Sequence, residues 1–415
     1  MAPGYHAGLA AGRGASALVP RALLAYDWPP VPATTAFLFC VCQAGAEAAV
    51  AEELAPLGLR RAFARPGLIT FKDPSGVVPA DVPLAAVLVR AHGAAIGPAS
   101  DLTALLAAVD KYCPKDQAVR LHVFERDIAK PGDEPPGHAY GPLAASAQAQ
   151  IEAAWAAAPP RPLLAGSRAE PGDWVLDVIV AADEPWWLGF HRHGPGHPPT
   201  PGGRITVDMP PEAPSRAYRK LEEALIWSQA PLRAGDTAVE IGSSPGGASY
   251  ALLRRGVEVH GIDPAKMAPV VLDYNKDLPG NHFIHLDRPM SLVQRSDLPT
   301  TLHWVLLDVN LAPQVALITA RRLAAHPRPD LMGVLLTLKL DDWKALRHVP
   351  RLLKSIASMG MQQVKATQLP SNRMELFVCG LTKQGLARLA PAPPTAPAAA
   401  PAATPRTARR RSASS

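Results

Sequence analysis

The sequence predicts an α/β protein, with a doubly wound, mixed sheet in the C-terminal half preceded by a smaller α/β region. Three observations predict it. From residue 213 onward, apolar strand-like runs alternate with helix-length runs, the pattern of parallel strands joined by crossover helices. Within that pattern, VEIGSSPGGAS at 239–249 ends a strand in an acid, breaks into three glycines and a proline, and opens a helix. Residues 36–195 also alternate, and two of their runs, DWVLDVIVA and WWLGFHRH, are separated only by ADEP, as in a hairpin.

Composition bounds the rest. A chain of 415 residues holds two or three domains. No apolar run approaches the ~20 residues of a membrane span, so no membrane association is expected. The N-terminus lacks a compact apolar core with a cleavage signal, and is not read as a signal peptide. Cys40, Cys42, Cys113 and Cys379 fit no zinc spacing; they are expected in cores, in a reducing cytoplasm, with no metal. A net charge of +6 and a pI near 9.2 favour a polyanionic partner, although part of the charge sits in the arginine-rich tail. Nothing points to an obligate dimer, so a monomer is expected.

In chain order, residues 1–35 are expected to be disordered or loosely attached. Residues 36–100 read as a small ferredoxin-like α/β domain: strand AFLFCVCQ, helix AEAAVAEELAPL, strand GLITFKD and helix PLAAVLVRA. Residues 101–195 follow with helix DLTALLAAVDKY, strand AVRLHVFER, helix PLAASAQAQIEAAWAAA and the hairpin. Residues 196–212, rich in proline and glycine, read as a linker. The region 213–385 starts with helix SRAYRKLEEALIWSQ, then strand TAVEIG, the glycine loop and helix ASYALLRRG. Strands EVHGID, HFIHLD, VLLDVN and GVLLTLKL follow, with helices QVALITARRLAAH and HVPRLLKSIASMG, and strands QQVKATQL and ELFVCGLT close the sheet as an antiparallel pair. Residues 386–415 form a Pro/Ala/Arg tail that cannot build a core.

The loop itself narrows the ligand. Its spacing, Gly242-x-x-Pro245-Gly246-Gly247, is not the dinucleotide G-x-G-x-x-G. Pro245 removes an amide donor that a pyrophosphate would need, and Glu240 at the strand end repels phosphate but suits a cation. Gly246 and Gly247 allow backbone to approach a ligand closely. Asp263 ends the next strand, where an acid accepts from ribose hydroxyls, and Asp287 after the third strand can accept from a base amine. A ligand with ribose, adenine and a positive centre but no phosphate is S-adenosylmethionine; a nicotinamide cofactor fits less well.

Four charged residues stand where elements meet the same sheet edge: Lys220 on the helix before the loop, Asp308 ending VLLD, Lys339 ending LLTLK and Glu375 opening the last strand. Buried lysines need paired acids, so the four are expected to form one compensated cluster. This set resembles the Lys-Asp-Lys-Glu tetrad of FtsJ/RrmJ-type ribose 2′-O-methyltransferases. APSRAYRKLEEA, SSPGG, LLDVN and TLKL, together with WWLGFHRH and the PGG before 213, resemble more closely the RlmM family, bacterial enzymes that methylate a cytidine ribose in 23S ribosomal RNA and carry an N-terminal THUMP domain.

The resemblance implies a Rossmann-like S-adenosylmethionine-dependent methyltransferase domain over 213–385 and a THUMP-like RNA-binding domain over 101–195. It implies that Ser244, Pro245, Gly246, Gly247, Asp263, Asp287 and Asp308 line the cofactor site, with Glu240 and Gly242 in the same loop. It makes Lys339 the proton acceptor; from the residue types, Lys220 and Glu375 are expected to orient it and the hydroxyl, and Asp308 to hold Lys339 near the sulfonium. The family has Cys where Ser244 stands, and a cofactor-touching Ser where Ala217 stands. The partner it implies is 23S rRNA or a large-subunit assembly intermediate. Two rivals keep parts of this picture: an enzyme acting on another RNA such as tRNA, and an RNA-binding assembly factor with an inactive methyltransferase fold.

The basicity of Lys339 stays open in the sequence, because burial and Lys220 lower its pKa while Asp308 and Glu375 raise it. Candidate phosphate contacts are Arg192, Arg204, Arg216, Arg219 and Arg373. His191, His193 and His197 are read as surface or RNA-facing rather than metal-binding. Trp186 and Trp187 could stack on a base, with at least one of them in the core.

Overall fold

The computed structural model describes residues 34–129, 141–194, 196–277, 281–324 and 329–389. The expected loose N-terminus and the tail lie outside these residues, apart from Thr34–Thr35 and the last helix.

Thr34–Thr35 (β1) pairs with Val78–Pro79 (β5) in a short ribbon. The N-terminal half is otherwise built on Phe37–Val41 (β2), Arg60–Arg65 (β3), Leu68–Lys72 (β4), Ala91–Ala99 (β6), Val119–Glu125 (β7), Trp174–Val180 (β8) and Trp186–Arg192 (β9). These form one seven-stranded sheet in the order β3-β4-β2-β6-β9-β8-β7. Only β7 and β8 pair in parallel. The helices are Glu47–Leu54 (α1), Leu102–Tyr112 (α2) and Pro142–Ala157 (α3); the Asp101 carboxylate accepts from Ala104 N at 2.8 Å and caps α2. The segments expected as 36–100 and 101–195 therefore meet in a single sheet, through β6 and β9. The expected β8–β9 hairpin is present.

Two elements differ from the expectation. No helix covers residues 83–91, and AHGAAIGPA, its C-terminal continuation, is the central strand β6. The small residues there have a packing cause: a Cβ on Gly93, or on Gly189 of β9, would enter the ring of Phe39. An alanine-rich segment thus serves as a strand because its bare backbone makes room for an aromatic ring on β2. The edge strand β3, RRAFAR, also went unread.

The C-terminal half contains Ala217–Ser228 (α4), Thr237–Ile241 (β10), Gly247–Arg254 (α5), Glu258–Ile262 (β11), Pro269–Leu272 (α6), Phe283–Leu286 (β12), Trp304–Asp308 (β13), Pro313–Ala324 (α7), Gly333–Lys339 (β14), Val349–Ala357 (α8), Gln363–Thr367 (β15), Glu375–Leu381 (β16) and Lys383–Leu389 (α9). The sheet order is β12-β11-β10-β13-β14-β16-β15, parallel through β14 and antiparallel at β16 and β15. This is a Rossmann-like sheet. Its strands are rich in Val and Leu because both faces are covered. Strand order reverses between β10 and β13, the point at which such sheets bind ligands.

The halves are packed together. Leu340, Val349 and Leu376 from the second half lie in the same buried cluster as Val50, Leu54 and Leu88 of the first. Residues 201–203 are buried against β6, β7 and β8, so the segment expected as a linker is partly built into the N-terminal half. All four cysteines are buried and unpaired. Among the described residues no helix is long and apolar enough to cross a membrane.

Candidate active site

Three strands and one helix deliver the four charged residues. Asp308 is the last residue of β13 and Lys339 the last of β14, next to each other in the sheet. Glu375, the first residue of β16, is the register partner of Lys339. Lys220 lies in the first turn of α4, which contacts α5 immediately after the glycine loop. The side chains converge: Lys339 Nζ is 3.1 Å from Asp308 Oδ1 and pairs with Glu375 Oε1. Lys220 Nζ is 2.7 Å from Glu375 Oε2 and 3.9 Å from Asp308 Oδ2. All four are half-buried, so each charge is only partly desolvated.

The electrostatics answer what the sequence left open. Burial pulls the Lys339 amine down, but the Asp308 and Glu375 carboxylates outweigh it and hold the pKa above the usual lysine value. Glu375 responds in the opposite sense: burial raises it, and the two lysines bring it below the usual carboxylate range. At rest the cluster is a charged network.

The cluster opens into a pocket of about 400 Å³, partly continuous with solvent, lined by Ala217, Lys220, Glu240, Asp308, Thr337 and Asn372 together with apolar neighbours. Asn372 and Thr337 were not anticipated. The Asn372 amide donates to Glu375 Oε2 at 3.3 Å; its only trace in the sequence is its place three residues before Glu375. Ala217 lines the pocket as well.

The glycine loop differs in detail from the expectation. Gly242 has φ +83°, and a Cβ there would collide with the Asp308 carbonyl oxygen, so its freedom serves the contact between β10 and β13. The space beside Gly246 and Gly247 belongs to protein: added Cβ atoms would strike Val271 and Ser215. These two glycines let α4 and α6 approach, which corrects the reading that they leave room for a ligand. The exposed Pro245 precedes them.

Glu240 is only 3% exposed and accepts a hydrogen bond from Ser249 Oγ. Burial lifts its pKa to about 8; Ser249 opposes the rise and the charges of Asp308 and Asp263 add to it. Burial therefore works against a negative charge at this position unless a cation lies beside it. Asp263 accepts from Ser244 N at 3.1 Å and Ala265 N at 2.8 Å, which ties the end of β11 to the loop. Ser244 Oγ donates to Lys266 O at 2.9 Å. Asp287 is exposed beyond the end of β12.

Outside the pocket, two readings are corrected. Arg373 donates to Asp127 Oδ2 at 2.9 Å and is 12% exposed, so its guanidinium is committed inside the protein rather than offered to phosphate. His191, His193 and His197 are buried; His197 stacks on His191 and His92, His122 and His193 lie tilted against His191, and His191 Nδ1 is 2.7 Å from Asp177. They belong to the core of the N-terminal half, not its surface. Among the described residues no group of His, Cys, Asp and Glu is arranged to hold a metal. Trp187 stacks on Phe63 at 4.7 Å and Trp186 packs against the core; both are half-buried. Of the remaining arginines, Arg216 is exposed, while Arg204 donates to Glu125 O at 3.0 Å.

No family model matches the chain. Two curated proteins similar to it are both described as ribosomal RNA large subunit methyltransferase M. That of Laribacter hongkongensis is 38% identical over 96 residues, covering 22% of this chain and 25% of the relative. That of Halorhodospira halophila is 31% identical over 182 residues, covering 43% and 50%. The matches thus span between a quarter and a half of the relatives' length. Among solved structures, Aeropyrum pernix fibrillarin in complex with natively bound S-adenosyl-L-methionine aligns at TM-score 0.29 and 15% identity, covering 50% of this chain and 82% of that one. TrmN from Thermus thermophilus aligns at TM-score 0.30 and 15% identity, covering 83% and 99%.

Proposed function

We propose that the chain is an S-adenosylmethionine-dependent RNA methyltransferase that acts on the ribose 2′-hydroxyl of a cytidine in 23S ribosomal RNA. Its partner is that RNA or a large-subunit assembly intermediate, met in the cytoplasm. The observation that supports this best is the convergence of Lys220, Asp308, Lys339 and Glu375 at the strand-order reversal, beside the glycine loop. The partial similarity to large-subunit methyltransferases points the same way.

The residues around the loop suit the cofactor. Asp263 at the end of β11 and Asp308 at the end of β13 place carboxylates beside the loop, which suits a cationic nucleoside without phosphate. Asp263, although tied to two amides, keeps unused lone pairs for ribose hydroxyls, and Asp287 is exposed for a base amine. S-adenosylmethionine supplies an electrophilic methyl group when bound.

The protein's own contribution is positioning and proton transfer. As the 2′-oxygen forms its bond to carbon, its proton must leave, and Lys339 Nζ is the acceptor in this reading. Lys339 rests charged because Asp308 and Glu375 favour its proton. A positive charge placed against Asp308 weakens that bias and frees the amine to act. Lys220 holds Glu375 through a 2.7 Å ion pair, and Glu375 in turn holds Lys339.

Mapping ribose methylation on total RNA from a deletion strain and its complement tests the proposal. Restoration of one rRNA cytidine by wild type but not by Lys339→Ala is the expected result. A tRNA site restored instead would transfer the chemistry to another RNA, and no restored site would favour an inactive assembly factor.

A further inference from the structure

The loop 368–374, which leads into Glu375, is fastened from two directions. On one side is α4: the Glu223 carboxylate, 1% exposed, accepts from Ser371 N at 3.0 Å and Ser371 Oγ at 2.7 Å. Glu223 lies three residues after Lys220, on the same helix. On the other side is the N-terminal half: Asp127, 4% exposed, accepts from Arg373 at 2.9 Å and from Arg90 at 2.6 Å, both at Oδ2. The backbone joins in, because Gln368 N donates to Val87 O at 2.8 Å.

Between these anchors sits Asn372, whose amide donates to the same Glu375 oxygen that receives Lys220. Buried carboxylates with several charge-assisted or neutral donors resist displacement, because each broken bond leaves a desolvated group unpaired. Leu340 and Leu376, the chain neighbours of Lys339 and Glu375, are themselves buried in the core shared with the N-terminal half.

We propose that loop 368–374 is a brace for Glu375, and that Glu223 and Asp127 are the positioning residues that hold it. Neither touches the reacting atoms. Asp127 acts from 246 residues away in the chain, through Arg373, so the N-terminal half fixes the geometry of the site whatever else it binds. The inference rests on the functional reading above for its kinetic consequences, but not for its structural ones.

The test uses the full chain with Asp127→Asn and Ser371→Ala. In both variants kcat for RNA methylation falls about 10- to 100-fold, the cost of a misplaced catalytic group, while KM for S-adenosylmethionine stays within about twofold. With Glu375 loosened from Lys339, the Lys339 amine titrates at lower pH than in wild type, read by NMR of ¹³Cε-labelled lysine. A purely structural role would lower stability without moving that titration. If Asp127→Asn fails to fold, Ser371→Ala, which deletes one hydroxyl, carries the test alone. Wild-type kcat and an unshifted Lys339 titration in the folded variants would overturn the brace. A wild-type protein that methylates no RNA would overturn the functional reading instead, and the lysine titration would still decide the brace.

Discussion

Replacing Glu240 with Gln separates stability from function at the site. The Glu240 carboxyl has an ordinary pKa near 4.5 in the unfolded chain and about 8 in the fold, chiefly because it is buried. Below pH 4.5 both states carry the proton and the group costs nothing. Between pH 4.5 and 8 the unfolded chain releases its proton while the folded protein keeps it, so stability falls steadily with rising pH. Above 8 both states are ionised and the loss is complete. At about 1.4 kcal/mol per pH unit, the cost at pH 7 is about 3 kcal/mol. Gln keeps an oxygen to accept from Ser249 and has no proton to lose. The difference in urea midpoint between Glu240→Gln and wild type, followed by circular dichroism, should therefore grow by the equivalent of about 3 kcal/mol from pH 4.5 to pH 7. Any strain or unpaired amide introduced by Gln shifts that difference by a constant and leaves its slope alone. A difference flat across this range would refute the reasoning. An acid retained at such a cost is the mark of a functional position, so the same variant should bind S-adenosylmethionine more weakly by calorimetry.

Lys339→Ala should abolish methyl transfer while its affinity for S-adenosylmethionine stays within about threefold of wild type, since its part is proton transfer rather than binding; calorimetry beside a methylation assay decides. Gly242→Ala combines a positive φ with a collision against the Asp308 carbonyl, so it should cost about 1–3 kcal/mol in urea unfolding and weaken cofactor binding by moving β10 away from β13. Burial lowers the pKa of His122 from 6.5 to about 4, with Asp177 opposing the shift and His191 adding to it. As pH falls below 6.5 the unfolded chain takes a proton that the fold refuses, so His122→Asn should lose about 1.4 kcal/mol of the wild type's acid sensitivity between pH 7.5 and 5.5.

The sequence was most legible where pattern and chemistry coincide. Apolar strands ending in Glu240, Asp308 and Lys339 announced both the parallel sheet and the edge at which its charges gather, because a strand end has a single position in such a fold. Glu375 followed from the same logic. What stayed hidden depends on contacts between distant segments. The strand over residues 91–99 looked like neither strand nor core until Phe39 filled the space over Gly93. The histidines at 191, 193 and 197 read as surface because a Pro/Gly loop surrounds two of them, yet His92 and His122 from other strands enclose them. Arg373 looked like a phosphate contact because nothing local could show Asp127 as its partner. The packing around Gly246 and Gly247 was likewise hidden, since their neighbours, Val271 and Ser215, are supplied by distant segments.

The four cysteines provide a built-in clock for unfolding. Burial raises the pKa of each thiol, to about 12 for Cys113 and about 11 for Cys379, and Cys40 and Cys42 are fully buried. Since the thiolate is the species that reacts, a thiol reagent can label this protein only through opening. Cys40, Cys42 and Cys113 lie in the N-terminal half, and Cys379 lies on β16 beside β14. Labelling rates resolved by peptide would report whether the two halves open together, as their shared core implies, or one ahead of the other.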